Sequence, residues 1–278
     1  MSTKPTHAEL LAEVLARYDA SPDPRLKEVM QAAVRHLHAF VEEVGLTHDE
    51  WMKGIEFVTA TGKICDGVRQ EWILLSDTLG VSTLVEFITQ DAGAGATENT
   101  VLGPFYVPGS PERAFGESMV VDDDPGERVV VRGRVTDLAG EPVPGARLDV
   151  WQNNTAGFYA CQQPGVQSAE NLRGVYHTRE DGSFEFRTVR PVPYPIPDDG
   201  PAGALLKANG RNWMRAAHIH VWVTAPGHKD LITHVFDRES AHLGDDAVFG
   251  VRESLVRDFV RGADGEVAAT FDIVLEPR

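Results

Sequence analysis

His218-Ile219-His220 is the stretch whose residue types and spacing most plainly permit chemistry. In an extended strand, residues i and i+2 face the same way, so the two imidazoles sit about 7 Å apart at Cα and both rings can converge on one metal ion. Ordinary strand alternation produces the same pattern, so the pair alone leaves a metal site and a polar strand face both open. A zinc site would need a further Cys, His or carboxylate at compatible spacing. Cys65 and Cys161 lie far apart and belong to no such motif. Tyrosine is scarcer, with five in the chain, and two of them sit in unusual settings. Tyr159 ends the loop-forming run Asn153-Asn154-Thr155-Ala156-Gly157-Phe158. Tyr194 sits in Pro191-Val192-Pro193-Tyr194-Pro195-Ile196-Pro197, where prolines fix the backbone and remove amide donors, so the ring is held at little further entropic cost. Such preorganisation suits a ligand, and equally a packed aromatic with a satisfied hydroxyl.

The elements that position these residues divide the 278-residue chain in two. Residues 1–100 hold 7 of the 26 glycines and 3 of the 17 prolines, with no proline between Pro24 and Pro104. A helical first part and a turn-rich β second part follow from that distribution. Thr6-His7-Ala8-Glu9 has capping-box spacing ahead of Leu10, Leu11, Val14 and Leu15. Asp23-Pro24 reads as an N-cap and first helical residue, and the apolar series Leu26, Val29, Met30, Ala33, Val34, Leu37, Val41, Val44 runs to a Gly45 C-cap. Thr47-His48-Asp49-Glu50 opens a third helix, with further helical segments near 64–79 and 81–90; His36, His38 and His48 read as solvent-facing. From Val129 the period becomes two: Val129–Val135, Arg147–Trp151, Ser183–Arg187, His218–Val223 and Ala269–Leu275 read as strands, and Asp181-Gly182 as a hairpin turn after Val175–Thr178. Short strands between turn clusters predict a β-sandwich. The glycine-rich stretch 91–96 lacks the Lys-Ser/Thr of a phosphate loop and reads as a linker.

Composition sets limits on partners. With 26 basic against 42 acidic side chains, the formal charge of −16 repels phosphate backbones and anionic lipid, so neither nucleic acid nor membrane binding is expected. No apolar run approaches the ~20 residues of a bilayer span. The N-terminus turns acidic where an export signal would be apolar, and two unpaired cysteines suit a reducing, cytoplasmic setting.

Trp151-Gln152-Asn153-Asn154-Thr155-Ala156-Gly157-Phe158-Tyr159, then Pro193-Tyr194-Pro195-Ile196-Pro197, then Arg215-Ala216-Ala217-His218-Ile219-His220 resemble the intradiol ring-cleaving dioxygenases, a family that includes catechol, chlorocatechol and hydroxyquinol 1,2-dioxygenases. The resemblance runs through nearly the whole chain. It implies an α+β fold, with a helical N-terminal dimerisation domain (1–100) and a C-terminal antiparallel β-sandwich (101–278) carrying the metal. It further implies one non-haem Fe(III) per subunit, held by Tyr159, Tyr194, His218 and His220, with Tyr194 and His218 axial and hydroxide completing the set. Phenolates are hard anionic donors suited to such an ion, and a free tyrosine pKa of about 10 means that the metal must drive deprotonation. In the implied reaction the diol binds as a dianion, giving up protons to the hydroxide and to the departing Tyr194. O2 then attacks the ring, and a muconate-type diacid results. Arg215 corresponds to the family's active-site arginine, whose fixed charge would stabilise the carbanionic ring. A homodimer through the N-terminal helices, with phospholipid at its interface, is also implied.

Leu74-Leu75-Ser76-Asp77-Thr78-Leu79-Gly80 looks like the hydroxyquinol branch, in which the leucine and aspartate at positions 74 and 77 line the pocket. Asp77 would accept a hydrogen bond from a third ring hydroxyl, which catechol lacks; without the resemblance it reads as a helix-terminal aspartate. Val101-Leu102-Gly103-Pro104-Phe105 resembles the V-F-G-P-F segment of hydroxyquinol enzymes more than the I-E-G-P of catechol enzymes, with Leu102 departing from both. Ile196, Pro197, Val248 and Arg215 complete the pocket that the resemblance implies, together with His234, which stands where many catechol enzymes carry glutamine. His234 reads either as a hydrogen-bonding neighbour of the ligands or as a buried structural histidine. Cys161 reads as a small packed residue, since a thiolate is a soft donor and the ligand set is full. The expectation is cleavage of hydroxyquinol to 3-hydroxy-cis,cis-muconate or maleylacetate. The alternatives are a catechol or chlorocatechol enzyme, a non-enzymatic β-sandwich binding module, and a zinc hydrolase.

Overall fold

The structure is a computed structural model that describes residues 6–90 and 95–278. The chain divides into two compact units, one ending at Thr59 and the other beginning at Ala60. In the first, helix α1 (His7–Arg17) starts at Thr6, whose hydroxyl accepts from the Glu9 amide while the Glu9 carboxylate accepts from the Thr6 amide, so the capping box forms. Helix α2 (Pro24–Val44) opens on the Asp23 carboxylate and closes at Gly45, whose φ of 59° is one that an L side chain resists. Helix α3 (His48–Ile64) begins in this unit and ends in the next. His36 and His48 are exposed and His38 is half-buried. Among the described residues, no single helix is long and apolar enough to cross a membrane.

The segment expected as one helix over 64–79 is interrupted. The Asp66 carboxylate accepts from the amides of Val68 and Arg69, forming a turn before α4 (Glu71–Thr78), and Gly80 separates that helix from α5 (Val81–Thr89). Of the expected linker, residues 91–94 lie outside the described residues.

The rest of the second unit is a sandwich of two five-stranded sheets. In chain order its elements are β1 (Arg128–Asp137), β2 (Arg147–Trp151), β3 (Arg173–His177), β4 (Ser183–Val189), β5 (Tyr194–Pro195), helix α6 (Pro201–Ala208), β6 (Met214–Arg215), β7 (His218–Thr224), β8 (Leu231–Asp237), β9 (Val256–Arg257), β10 (Val260–Arg261), β11 (Val267–Thr270) and β12 (Ile273–Leu275). One sheet runs β10-β11-β1-β12, with β4 also on β1; the other runs β3-β2-β7-β8-β9; β5 and β6 form a separate ribbon. The sheets are mixed rather than antiparallel, because β11 and β12 lie parallel to β1, and β9 parallel to β8. The last expected strand is accordingly two. At Gly133 a Cβ would stand 2.0 Å from the Phe271 carbonyl oxygen, and only a glycine lets the chain cross there as β1 changes partner from β11 to β12.

Asp181-Gly182 makes the expected turn, with the Gly182 amide donating to the Arg179 carbonyl, but not a hairpin. Strand β3 pairs with β2 and β4 with β1, so the chain changes sheet at that corner. The reason lies in where each side is tied: Thr178 bonds Val143 and Ala146 ahead of β2, while Gly182 accepts from Val135 of β1. Between the sheets, Leu148, Val150, Ile219, Val221, Val223 and Val235 meet Val129, Val131, Phe184, Phe186 and Ile273 in one core. Side-chain alternation turns Trp151, His218, His220 and His234 to the other face of their sheet.

Candidate metal centre

One rung of that sheet builds most of the site. Trp151 of β2, His220 of β7 and His234 of β8 are direct cross-strand partners, so their side chains lie side by side on one face. The indole of Trp151 stacks on the His220 ring at 4.6 Å and 10°, and His234 meets the same ring edge-on at 4.1 Å and 88°. His218 lies two residues earlier on that face, and its Nδ1 is 2.6 Å from the Ala216 carbonyl oxygen. As that carbonyl can only accept, Nδ1 carries the proton and Nε2 keeps its lone pair.

The two tyrosines arrive from loops. After β2, the Asn154 side chain accepts from the amides of Ala156 and Phe158, and Gly157 turns with φ 86° where a Cβ would crowd Tyr194 at 3.3 Å. This closed loop delivers Tyr159, whose ring stacks on Phe105 at 4.7 Å. Tyr194 is brought by the β5–β6 ribbon, which pairs it directly with Arg215.

Three donor atoms converge, and a fourth adjoins them. The Nε2 atoms of His218 and His220 are 3.1 Å apart, Tyr159 Oη lies 3.1 Å from His220 Nε2 and 3.5 Å from His218 Nε2, and Tyr194 Oη lies 3.2 Å from Tyr159 Oη. All four residues are buried. With bonds of about 2.0–2.3 Å, donors around one metal ion stand about 3–3.5 Å apart, so the residues fit a single ion. Electrostatics agrees. Burial, then Arg215, pushes the His218 imidazole down to about 3; burial, His218 and Arg215 push His220 well below its usual range, so both rings are neutral lone-pair donors. Burial and the neighbouring Tyr194 drive the Tyr159 phenol far up, and burial raises Tyr194 against the pull of Arg215. Two phenols that resist ionisation beside two neutral imidazoles form a set that a cation would bring to its charged form.

His234 joins His218 and His220 in a buried three-imidazole group of ligand-like spacing. Its Nε2, however, is 2.7 Å from His220 Nδ1, on the far side of that ring from the tyrosines. Arg215 is buried; its Nε donates to Asp246 at 3.1 Å and its Nη2 has no partner. Burial alone would lower its pKa, but the Asp246 carboxylate beside it holds it above the ordinary value. Asp246 also accepts from the Ala216 and Gly250 amides.

A cavity of about 580 Å³ is walled by Leu74, Pro104, Phe105, Ile196, Pro197 and Cys161, among others. Five of the expected pocket residues thus line it. The remainder stand elsewhere. Gly103, at φ 76°, lies against the His220 ring, where a Cβ would come within 3.2 Å. Leu102 packs on the Trp151, Tyr159 and Tyr194 cluster, and Val101 and Val248 form a small buried cluster with Ala247. Asp77 is 1% exposed, outside the cavity lining, and neither carboxylate oxygen has a hydrogen-bond partner. Burial pushes its carboxyl up to about 6 against the pull of the nearby Ser82 hydroxyl and of Arg215. Trp213 and Phe158 also wall the cavity. The sequence reading did not single out Trp213, Asp246 or Thr100; Asp246 lies in an acidic loop with no motif around it.

Residues 101–277 match the family described as Dioxygenase, and residues 23–97 the one described as Catechol dioxygenase N terminus. The chain is 51% identical over 255 residues to a hydroxyquinol 1,2-dioxygenase of Rhizobium sp. (strain MTP-10005), covering 92% of this chain and 86% of that one. It is 49% identical to a 6-chlorohydroxyquinol 1,2-dioxygenase of Cupriavidus pinatubonensis, covering 96% of each. Among solved structures it is similar to the hydroxyquinol 1,2-dioxygenase of Pseudomonas putida DLL-E4, with a TM-score of 0.88 and 46% identity over 98% of this chain and 99% of that one.

Proposed function

We propose, since the chain belongs to the family of intradiol ring-cleaving dioxygenases, that it opens the ring of hydroxyquinol with O2 to 3-hydroxy-cis,cis-muconate, which tautomerises to maleylacetate. One observation carries the reading: a buried phenol oxygen and two neutral imidazole nitrogens stand 3.1–3.5 Å from one another, with the second buried phenol oxygen 3.2 Å from the first. On this reading Tyr159, Tyr194, His218 and His220 hold one ferric ion per chain. Ferric iron, when bound, would ionise the two phenols and take up both vicinal oxygens of an aromatic diol, priming its ring toward O2.

The remaining work falls to side chains of this chain. Tyr194 Oη, ionised when the metal is held, would take a proton from the incoming diol, with Arg215 paired beside it partly offsetting the burial that favours the neutral phenol. The Arg215 guanidinium, pinned through Nε by Asp246, offers its unpartnered Nη2 to negative charge that develops on the ring. Leu74, Phe105, Ile196 and Pro197 hold the ring between apolar walls and limit water. Asp77, buried behind Leu74 of the same helix and outside the cavity lining, would meet a third hydroxyl only if the substrate reaches past that wall; on this reading it accepts from that hydroxyl, and a catechol would leave it without that bond. The names of the relatives support the same substrate. The reading includes a cytoplasmic dimer formed through the N-terminal helices, supported by the exposed apolar side chains of α2, and phospholipid held at its interface, which stays an expectation of the resemblance.

The test is the visible spectrum of purified protein, with metal analysis, before and after anaerobic addition of hydroxyquinol and of catechol. A broad tyrosinate-to-iron band that moves to longer wavelength, at lower hydroxyquinol than catechol concentration, is expected. Iron without a visible band would overturn the tyrosine ligands, and tighter binding of catechol would overturn the substrate.

A further inference from the structure

A proton must be placed between His220 and His234, and the surroundings decide where. His220 Nδ1 and His234 Nε2 are 2.7 Å apart, a hydrogen-bond distance that uses one proton. If His234 supplied it, a neutral His220 would carry its own proton on Nε2, the atom 3.1 Å from both Tyr159 Oη and His218 Nε2. That nitrogen would then have no lone pair for a metal. If His220 supplies it from Nδ1, its Nε2 is bare, and a neutral His234 must carry its proton on Nδ1.

The groups around His234 select the second arrangement. Its Nδ1 lies 3.4 Å from Thr100 Oγ1, and that hydroxyl donates its proton to the Gly250 carbonyl at 3.1 Å. Thr100 therefore meets His234 with a lone pair and calls for a proton on Nδ1. The carbonyl that anchors this relay belongs to Gly250, whose amide donates to Asp246, and Asp246 also holds Arg215. Between Asp246 and Gly250 the chain passes through Phe249 at φ 59°, a conformation that a phenylalanine takes only when its surroundings impose it.

We infer that His234 is a positioning residue which, anchored by Thr100, fixes His220 as the Nδ1–H tautomer and so keeps its Nε2 free for the metal. This rests on the ligand set proposed above. A neutral imidazole as the backing group also adds no negative charge behind a site that already holds two phenols poised to become phenolates; a carboxylate in its place would. The role differs from that of a ligand, since His234 faces the side of the His220 ring away from the two tyrosines.

Two measurements test it. Ring nitrogen NMR of ¹⁵N-histidine-labelled, metal-free protein should show His220 protonated at Nδ1 and bare at Nε2; a proton on Nε2 overturns the inference whatever the metal. Ferric iron retention against a chelator, read with the visible band, is then compared among wild type, His234→Gln, His234→Leu and Thr100→Val. Glutamine keeps an acceptor for His220 and a donor for Thr100, so His234→Gln should hold iron as the parent does. His234→Leu, checked for unchanged melting of the fold, should bind iron about 10–100-fold more weakly and shift the band, with Thr100→Val between them. Leucine and glutamine variants with equal retention and the same band would overturn it. If the parent itself binds iron without a tyrosinate band, the ligand set fails instead, and the NMR result still stands on its own.

Discussion

At the scale of single residues, Asp77 is the most exposed to test because its setting is unfavourable to its own charge. It is fully buried, neither oxygen is hydrogen bonded, and its carboxyl is pushed up to about 6. Well below pH 4 the carboxyl is protonated in folded and unfolded chains alike, and it adds no pH-dependent cost. Between about 4 and 6 the unfolded chain ionises first, so stability falls as pH rises; above about 6 the full penalty, about 3 kcal/mol, is in place. Asp77→Asn should therefore stabilise the metal-free protein by up to that amount at pH 8, with the gain shrinking as pH falls through 6, in urea melts across that range. It should also narrow the rate ratio between hydroxyquinol and catechol. A pH-independent difference would mean that Asp77 finds a partner and is not the group left open for a third hydroxyl. Asp77 was legible in the sequence only through its company with Leu74, whereas Tyr159, Tyr194, His218 and His220 stood out by type and spacing. Asp246 and Thr100 did not, because each matters only through a partner 30 or more residues away, such as Arg215 or His234.

At the scale of elements, periodicity disclosed strands but not their partners. Arg147–Trp151 has the bounds expected of it, while Ala269–Leu275 proves to be β11 and β12 with a break at Phe271-Asp272. Nothing in a two-residue period distinguishes a parallel neighbour from an antiparallel one, and the chain's last strands pair with its first across more than a hundred residues. Gly133 is where that pairing is decided. The Phe271 amide donates to Arg132, and the Asp272 side chain accepts from the Arg134 amide, so the crossing chain is fastened on both sides of a glycine that has no room for a Cβ. The opposing atom is backbone and cannot rotate aside. Gly133→Ala should cost about 2–4 kcal/mol in urea unfolding, more than an ordinary strand substitution, and should loosen the C-terminal strands in hydrogen exchange before the β7–β8 pair that carries the histidines. An unchanged midpoint would show that the sheet can accommodate the crossing elsewhere.

At the scale of the whole molecule, charge and apolar surface pull in opposite directions. Each chain carries −16, so two copies repel one another. Yet α2 leaves Leu26, Leu37, Phe40 and Val44 at 53%, 63%, 52% and 53% exposure, and these recur at the spacing of one helical face. Such a stripe on a strongly charged protein is unfavourable unless another surface covers it, and in the proposed dimer a second copy of the chain would supply one. Two consequences follow. Raising the ionic strength screens the repulsion while leaving apolar burial intact, so the dimer should tighten with salt, the reverse of an interface held by ion pairs. The double variant Leu37→Glu, Phe40→Glu should sediment as a single chain, and its iron content and visible band should match the parent, because every proposed ligand lies beyond residue 60 in the other compact unit. A variant that stays dimeric would move the interface away from α2. A variant that turns monomeric and loses iron together would instead show that the helical unit and the metal centre depend on one another, and that the two halves read separately in the sequence act as one.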